Sequence, residues 1–379
     1  MGTLKQRNIR RVIVRGTNWV GDAVMTVPAL RELRRSLPGA HITLATRPWA
    51  KELFADAGFL DDLLIYDRPR PWSAVRQSVA WRRGNFDLAV LFPNAFEAAL
   101  IPALARVPFR IGYATDGRSR LLTNPLPVPE WRSSKHEVFY YLNIVAELER
   151  ALVGTKQIKD GPPNPSLHIS ELRQSEALHL LRAHGLREGR ALVALCPGSI
   201  NSRAKRWPAE RYGALADSLI NELNAEVLLI GSPDELEVSQ EVSRRMRNKP
   251  IMMTGKTSLA QVAAVLSLVD LLVTNDTGPA HIASALGRPT LVIFGPTNPL
   301  TTRPFSPVAE IMRHAPDCAP CMLRDCPIDH RCMTAISPQD VFQRAMLLLL
   351  GRTLAPATRQ GSSLDAWESV STIQQVALV

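Results

Sequence analysis

Short apolar runs alternate with amphipathic stretches along most of this chain, and most of the runs break off into turn-forming residues. In the first half, Arg11–Arg15 (RVIVR), His41–Ala45, Leu63–Tyr66 and Phe86–Phe92 (FDLAVLF) read as strands. Helical patterns are expected from about Asp22 to Leu37, over Trp49–Ala57 and Ser73–Arg82, after Glu97, and over Lys135–Arg150. Pro28 either kinks the first helix or starts its second segment. The stretch with Arg110-Ile111-Gly112-Tyr113 and Arg118–Arg120 reads as loop-rich and basic. Residues 153–166 (VGTKQIKDGPPNPS) have no hydrophobic period and the composition of a linker. Alternation then resumes: strands at Ala191–Cys196, Glu226–Ile230, Asp270–Val273 and Thr290–Phe294 alternate with amphipathic stretches over Ala209–Glu222, Asp234–Arg247 and Leu259–Leu268. A small-residue helix follows Pro279. Two successive βα-alternating halves predict an α/β chain with two Rossmann-like domains facing a central cleft. The expected bounds are 1–155 and 167–352, with a mobile polar tail over 353–379.

Composition narrows the choice of partner. The 379 residues are 46% hydrophobic and 21% charged, enough for a sizeable core. Forty-five Lys+Arg against 35 Asp+Glu leave a formal charge of +10, which suits phosphorylated ligands or anionic membrane surfaces. Aromatics are only 6% and do not interleave with a basic stretch, so nucleic acid is the weakest option. No apolar run approaches the ~20 residues of a membrane span. The basic N-terminus leads into a first strand without the cleavage pattern of a signal. A cytoplasmic protein is expected.

Candidate chemistry gathers where apolar runs end. Gly16-Thr17-Asn18-Trp19-Val20-Gly21-Asp22 follows the first strand, and Asp22 is either a first-turn acid or a base at a cleft mouth. Pro93-Asn94 follows another strand as a second edge for ligand contacts, and the arginines near residues 110–120 suit an acceptor's phosphate or carboxylate groups. Pro197-Gly198-Ser199 begins a polar loop that reaches Lys205, a flexible charge for a diphosphate. The loop lacks the Walker pattern, and no GxGxxG follows a strand, which counts against NAD or FAD. Glu235 either accepts from ribose hydroxyls or loads a first helical turn. At Thr274-Asn275-Asp276-Thr277-Gly278-Pro279-Ala280-His281 a strand feeds a polar turn and a helix start. There Thr277 and Gly278 suit phosphate oxygens, and Asp276 suits a cap or a sugar hydroxyl. His281 is either a diphosphate donor or a packed helix histidine. Cys318, Cys321, Cys326 and Cys332 suggest a structural Zn2+ or iron–sulfur site, or simply reduced thiols, while Cys196 reads as core.

Taken together, these motifs resemble the bacterial lipopolysaccharide heptosyltransferases of glycosyltransferase family 9. The carrying residues are Gly16 to Asp22, Leu91 to Phe96, Cys196-Pro197-Gly198, Ala204-Lys205-Arg206-Trp207-Pro208, Gly231-Ser232 and Thr274 to His281. The resemblance implies a GT-B fold and an inverting, metal-independent transfer from ADP-heptose to the first heptose of a lipid A–Kdo–heptose acceptor. It implies Asp22 as general base. It also implies donor contacts from Lys205, Asp276, Thr277, Gly278 and His281; the loop and edge residues read above add Ser199 and Glu235 to the expected donor contacts and give Asn18, Asn94, Arg110 and Arg120 as expected acceptor contacts. No cofactor is expected beyond a structural metal at the cysteines, and peripheral inner-membrane association is compatible with the charge. The competing readings are a family member with another acceptor, a GT-B nucleotide-sugar epimerase, and a basic protein that only binds anionic surfaces.

Overall fold

The computed structural model describes residues 9–66, 73–155 and 163–353. The expected N-terminal lead-in, part of the expected linker and nearly all of the expected tail lie outside these residues. The chain divides after Pro165 into two compact units. Each is a six-stranded parallel sheet flanked by helices, so the expected α/β class and the pair of Rossmann-like domains are both present.

In the first unit the strands are β1 (Arg11–Arg15), β2 (His41–Thr46), β3 (Asp62–Ile65), β4 (Leu88–Leu91), β5 (Phe109–Tyr113) and β6 (Asn124–Leu126). Their order across the sheet is β3-β2-β1-β4-β5-β6. In the second unit β7 (Leu192–Cys196), β8 (Glu226–Leu229), β9 (Ile251–Met252), β10 (Leu271–Asn275), β11 (Thr290–Phe294) and β12 (Ala309–Arg313) repeat that order. There β10 lies beside β7, with β11-β12 outside one and β8-β9 outside the other. The central strands are continuous apolar runs because both faces of the sheet are covered: β4, β7, β10 and β11 are buried throughout. Val14 pairs with Leu44 on one side and Val90 on the other, and Val273 likewise sits between Leu195 and Leu291.

The two units also share a device that sets this central register. Asp87, just before β4, accepts from the amides of Arg10 and Arg11 at 2.9 Å, where β1 begins. Asp270, just before β10, accepts from the amide of Leu192 at the start of β7, also at 2.9 Å. A carboxylate that takes an amide on the neighbouring strand ties together two strands far apart in sequence.

Several elements differ from the sequence reading. The basic stretch around Arg110 is a strand, β5, and β6 beside it contains Pro125, tolerated because the strand is at the edge. Helices Glu171–Ala183 and Pro338–Thr353 and the edge strands β9 and β12 were not anticipated. The final helix therefore runs to Thr353, where a tail was expected to begin. The first long helix is two helices, Val20–Met25 and Val27–Ser36, with Pro28 in the first turn of the second. Among the described residues, no helix is long and apolar enough to cross a membrane.

Candidate active site

Within each sheet the strand order reverses direction between the first and fourth strands, and the crevice beyond their carboxyl ends is where such sheets bind ligands. In the first unit the chain leaves β1 through Thr17, Asn18 and Trp19 into a helix whose first turn carries Asp22. It leaves β4 through Phe92, Pro93 and Asn94. A third wall comes from the turn at Arg132 and the helix Glu137–Val153, which presents Glu137, Tyr140 and Tyr141. These residues line an open pocket of about 210 Å³.

The pocket is wired from behind. Buried Arg15 donates to Asn18 Oδ1 at 2.9 Å and lies over the Tyr66 ring, fixing which way the Asn18 amide turns. The Tyr140 hydroxyl donates to Asn94 Oδ1 at 3.2 Å, and its ring stacks on Tyr113 with centroids 4.0 Å apart. Fully buried Arg118 donates to the carbonyls of Tyr113, Pro93 and Ala95, so it anchors the loop after β4. Arg132 contacts Glu137 at 2.5 Å and covers the Tyr140 ring at 4.0 Å. Burial pushes the Glu137 carboxyl up, and the Arg132 charge opposes that. The Tyr141 phenol is pushed well up by burial and, after it, by the nearby Asp22 carboxylate, so it stays protonated. Two carboxylates, two amides and four aromatic side chains in one pocket suit a ligand rich in hydroxyls.

Two expected acceptor contacts are not in this pocket. Arg110 turns back along its own sheet edge and donates to the carbonyls of Leu121 and Val107. Arg120 is exposed on a short turn after β5. The pocket's arginine is Arg132, which the sequence reading passed over because it precedes a helix distant in sequence from the strand ends.

In the second unit the corresponding crevice lies after β7 and β10. Asn275, fully buried at the end of β10, organises it. Its amide nitrogen donates to the carbonyls of Pro197 and Gly198 at 2.8 and 3.1 Å. Its oxygen accepts from the Trp207 amide and the Tyr212 hydroxyl at 3.0 and 3.1 Å. One side chain thus holds both ends of the loop from 197 to 207 to the sheet. A side chain at Gly198 would have to displace Glu235, since a Cβ would fall 2.2 Å from Glu235 Oε1. Glu235 is buried, and its other oxygen accepts from the Ser232 amide and hydroxyl at 2.8 and 3.0 Å. The Ser199 carbonyl accepts from Arg206.

Lys205 Nζ donates to Asp276 Oδ2 at 2.7 Å, and Thr297 Oγ1 donates to the same oxygen at 2.7 Å. Asp276 is therefore the counter-ion of Lys205; the N-cap of the next helix, Gly278–Ala285, is Thr277. The Thr277 hydroxyl meets Thr274 and the Asn275 carbonyl and makes no cap bond, so no side-chain cap covers the first-turn amides of that helix. An ammonium beside an uncapped helix N-terminus is a site for an anion.

His281 lies within the same helix, 5% exposed, and burial lowers its pKa to about 4, so it is neutral at pH 7 and offers at most one N–H. The unfolded chain takes up a proton on this side chain as pH falls through 6.5, whereas the folded chain resists until about 4. Stability present above pH 6.5 is therefore lost as pH falls toward 4. Across that window the melting temperature should fall more steeply for the parent protein than for His281→Gln. Parallel curves would mean that the imidazole is solvated.

The cysteines form no ready ligand set. Among the described residues, no group of three or more His, Cys, Asp or Glu is arranged to hold a metal ion. Cys318 and Cys321 are exposed, Cys332 is buried, and all are free thiols. Burial raises Cys332 to about 11, with the other three thiols of the segment adding to the rise. Cys196, at the end of β7, is a core thiol pushed up to about 12 by burial.

Two Rossmann-like units, one with a carboxylate pocket and one with the Lys205–Asp276 pair beside an uncapped helix N-terminus, suit a group-transfer enzyme with a phosphorylated substrate. Residues 74–331 match the profile of glycosyltransferase family 9 (heptosyltransferase), and the chain belongs to that family. It is 28% identical over 354 residues to lipopolysaccharide heptosyltransferase 2 of Escherichia coli K12, covering 90% of this chain and 99% of that relative. Lipooligosaccharide heptosyltransferase 2 of Haemophilus influenzae is 28% identical over 314 residues, covering 80% and 88%. The solved structure of E. coli ADP-heptose lps heptosyltransferase II superposes with a TM-score of 0.78 at 27% identity, covering 90% of this chain and 99% of that one.

Proposed function

We propose that this enzyme transfers a heptose from ADP-heptose to the first heptose of a lipopolysaccharide inner core, with inversion and without a metal. The observation that carries the reading is the division of chemistry between the units: the carboxylate pocket on the first, the ammonium and helix N-terminus on the second. In such a transfer an acceptor hydroxyl loses its proton to Asp22 while its oxygen forms a bond to the anomeric carbon. The bond from that carbon to the diphosphate breaks, and ADP leaves with the electron pair. Inversion follows from attack opposite the leaving group in a single displacement. The charge that develops on ADP is met by Lys205 and by the first-turn amides of helix Gly278–Ala285.

Acceptor recognition falls to Asn18, Asn94 and the aromatic wall. Arg132 supplies the cation for the anionic groups of an inner core, in place of Arg110 and Arg120. The +10 charge supports a peripheral position on an anionic membrane, where such an acceptor would sit. The names of the relatives support both donor and acceptor. The decisive experiment offers ADP-heptose with acceptors that bear no heptose or one. Transfer is expected only to the acceptor with one heptose. Transfer to the heptose-free acceptor alone would reassign the enzyme to the preceding addition, and transfer from UDP-sugars alone would remove the donor assignment.

A further inference from the structure

The segment that carries the four clustered cysteines has no part in the chemistry above, yet it touches the donor loop at every turn. Ser202 Oγ donates to the carbonyls of Leu323 and Arg324 at 3.2 and 3.1 Å. The Ala204 amide donates to the Arg324 carbonyl at 2.9 Å. His330 Nε2 lies 2.6 Å from the Ala204 carbonyl, and with a carbonyl as partner that nitrogen must carry the hydrogen. Arg203 pairs with Asp325 at 2.7 Å, although both are well exposed and the pair adds little. Just beyond, the Trp207 indole donates to the Ile336 carbonyl at 3.0 Å. Of the three residues just before Lys205 that bond to this segment, Ser202 and Ala204 are buried and Arg203 is exposed.

The same segment also meets the other arm of the Lys205–Asp276–Thr297 group. The Met322 amide donates to the Pro296 carbonyl at 2.9 Å, next to Thr297. Gly295 is without a side chain where Met333 and Cys332 pack: a Cβ there would lie 2.4 Å from Met333 Sδ and 3.3 Å from Cys332 Sγ. His330 itself is held in the left-handed region, at φ 58°, which costs a non-glycine residue energy that the surrounding contacts must offset.

We propose that residues 318–333 are a bracket that holds the Lys205 loop and the Thr297 turn in the shape that binds the donor diphosphate, with His330 as its positioning residue. The proposal rests on the reading of that loop as the donor half-site. Most of the bracket's bonds to the two arms end on backbone carbonyls, those of Leu323, Arg324, Ala204 and Pro296. Its thiols divide: Cys332 is buried behind Gly295 and Cys326 is half-buried, while Cys318 and Cys321 face solvent. By linkage, a ligand that binds the loop in this shape stabilises the bracket's contacts in return.

The test measures ADP affinity by calorimetry and thiol reactivity by mass spectrometry on the full chain. His330→Ala and Ser202→Ala each remove neutral hydrogen bonds, so ADP affinity should fall about 3–10-fold and the donor KM should rise with it, while kcat at saturating donor stays within about two-fold. His330→Gln, which keeps an N–H donor, should recover most of the loss. In the parent protein ADP should slow modification of Cys326 and Cys332 several-fold without changing that of Cys318 and Cys321, and His330→Ala should abolish this protection. If His330→Ala does not fold, Ser202→Ala carries the same expectation. Failure of the parent protein to bind ADP would overturn the donor reading. Binding by the parent with unchanged affinity in a folded variant, or with no protection of Cys326 and Cys332, would overturn the bracket alone.

Discussion

Asp22→Asn is expected to lower turnover about 10²- to 10⁴-fold, the range for loss of a general base, with ADP affinity unchanged. The substitution keeps size and hydrogen-bonding capacity and removes the charge and the ability to take a proton. Asp22 sits in the first turn of helix Val20–Met25, and asparagine of the same shape can occupy that place without its charge. The melting temperature should therefore shift by no more than about 3 °C, and the two roles of first-turn acid and base can be separated. A purely helical role predicts the reverse: a small loss of stability and near-normal turnover. Heptose transfer measured at saturating donor and acceptor decides between them. The neighbouring Glu137 is no substitute, because its ion pair with Arg132 ties up an oxygen.

Lys205→Ala is expected to weaken ADP binding about 10–100-fold, as loss of one charge-assisted hydrogen bond to a diphosphate implies. The deletion also leaves the Asp276 carboxylate, 6% exposed, without its cation. Part of the loss could then reflect a disturbed loop or simple repulsion. Lys205→Ala combined with Asp276→Asn removes that orphaned charge. If Lys205 contacts the diphosphate, the double variant stays well below the parent in ADP affinity even where its stability recovers. Parent-like affinity in the double variant would show that Lys205 serves only to neutralise Asp276.

The strands that build the half-sites were legible because a buried parallel strand is a short apolar run and its carboxyl end is a cluster of turn formers. RVIVR before Gly16 and LLV before Thr274 are such cases. Asp22, Asn94, Lys205 and the Thr274–His281 turn stood out by position, since what lies just beyond those runs falls at one edge of a sheet, but position left Asp22 between first-turn acid and base, and the family resemblance supplied its role. Strand β5 was not legible: Arg110 and Gly112 interrupt its apolar pattern, and Arg110 invited a ligand role that its bonds to two backbone carbonyls fill instead. Edge strands β9 and β12 are short or only half-buried, so they leave little pattern. Arg132, in a turn, and Glu137 and Tyr140, on the helix after it, reach the first pocket from beyond all six strands, a contact that only the packed unit reveals. Asn275 was visible as a motif residue, but its fourfold bonding was not, because its partners lie 63 to 78 positions away.

The pairing of Lys205 with Asp276 has a consequence for the pace of the cycle. The ammonium has a permanent suitor in the carboxylate beside it, so a diphosphate gains Lys205 only in competition, and the net gain on arrival is smaller than for an unpaired lysine. The same competitor acts when the sugar has gone and ADP remains: each time Lys205 loosens its hold, Asp276 is within 2.7 Å to reclaim it. If Lys205 holds the diphosphate as proposed, this competition lowers affinity for the spent nucleotide and eases the departure of product, a step that often limits turnover.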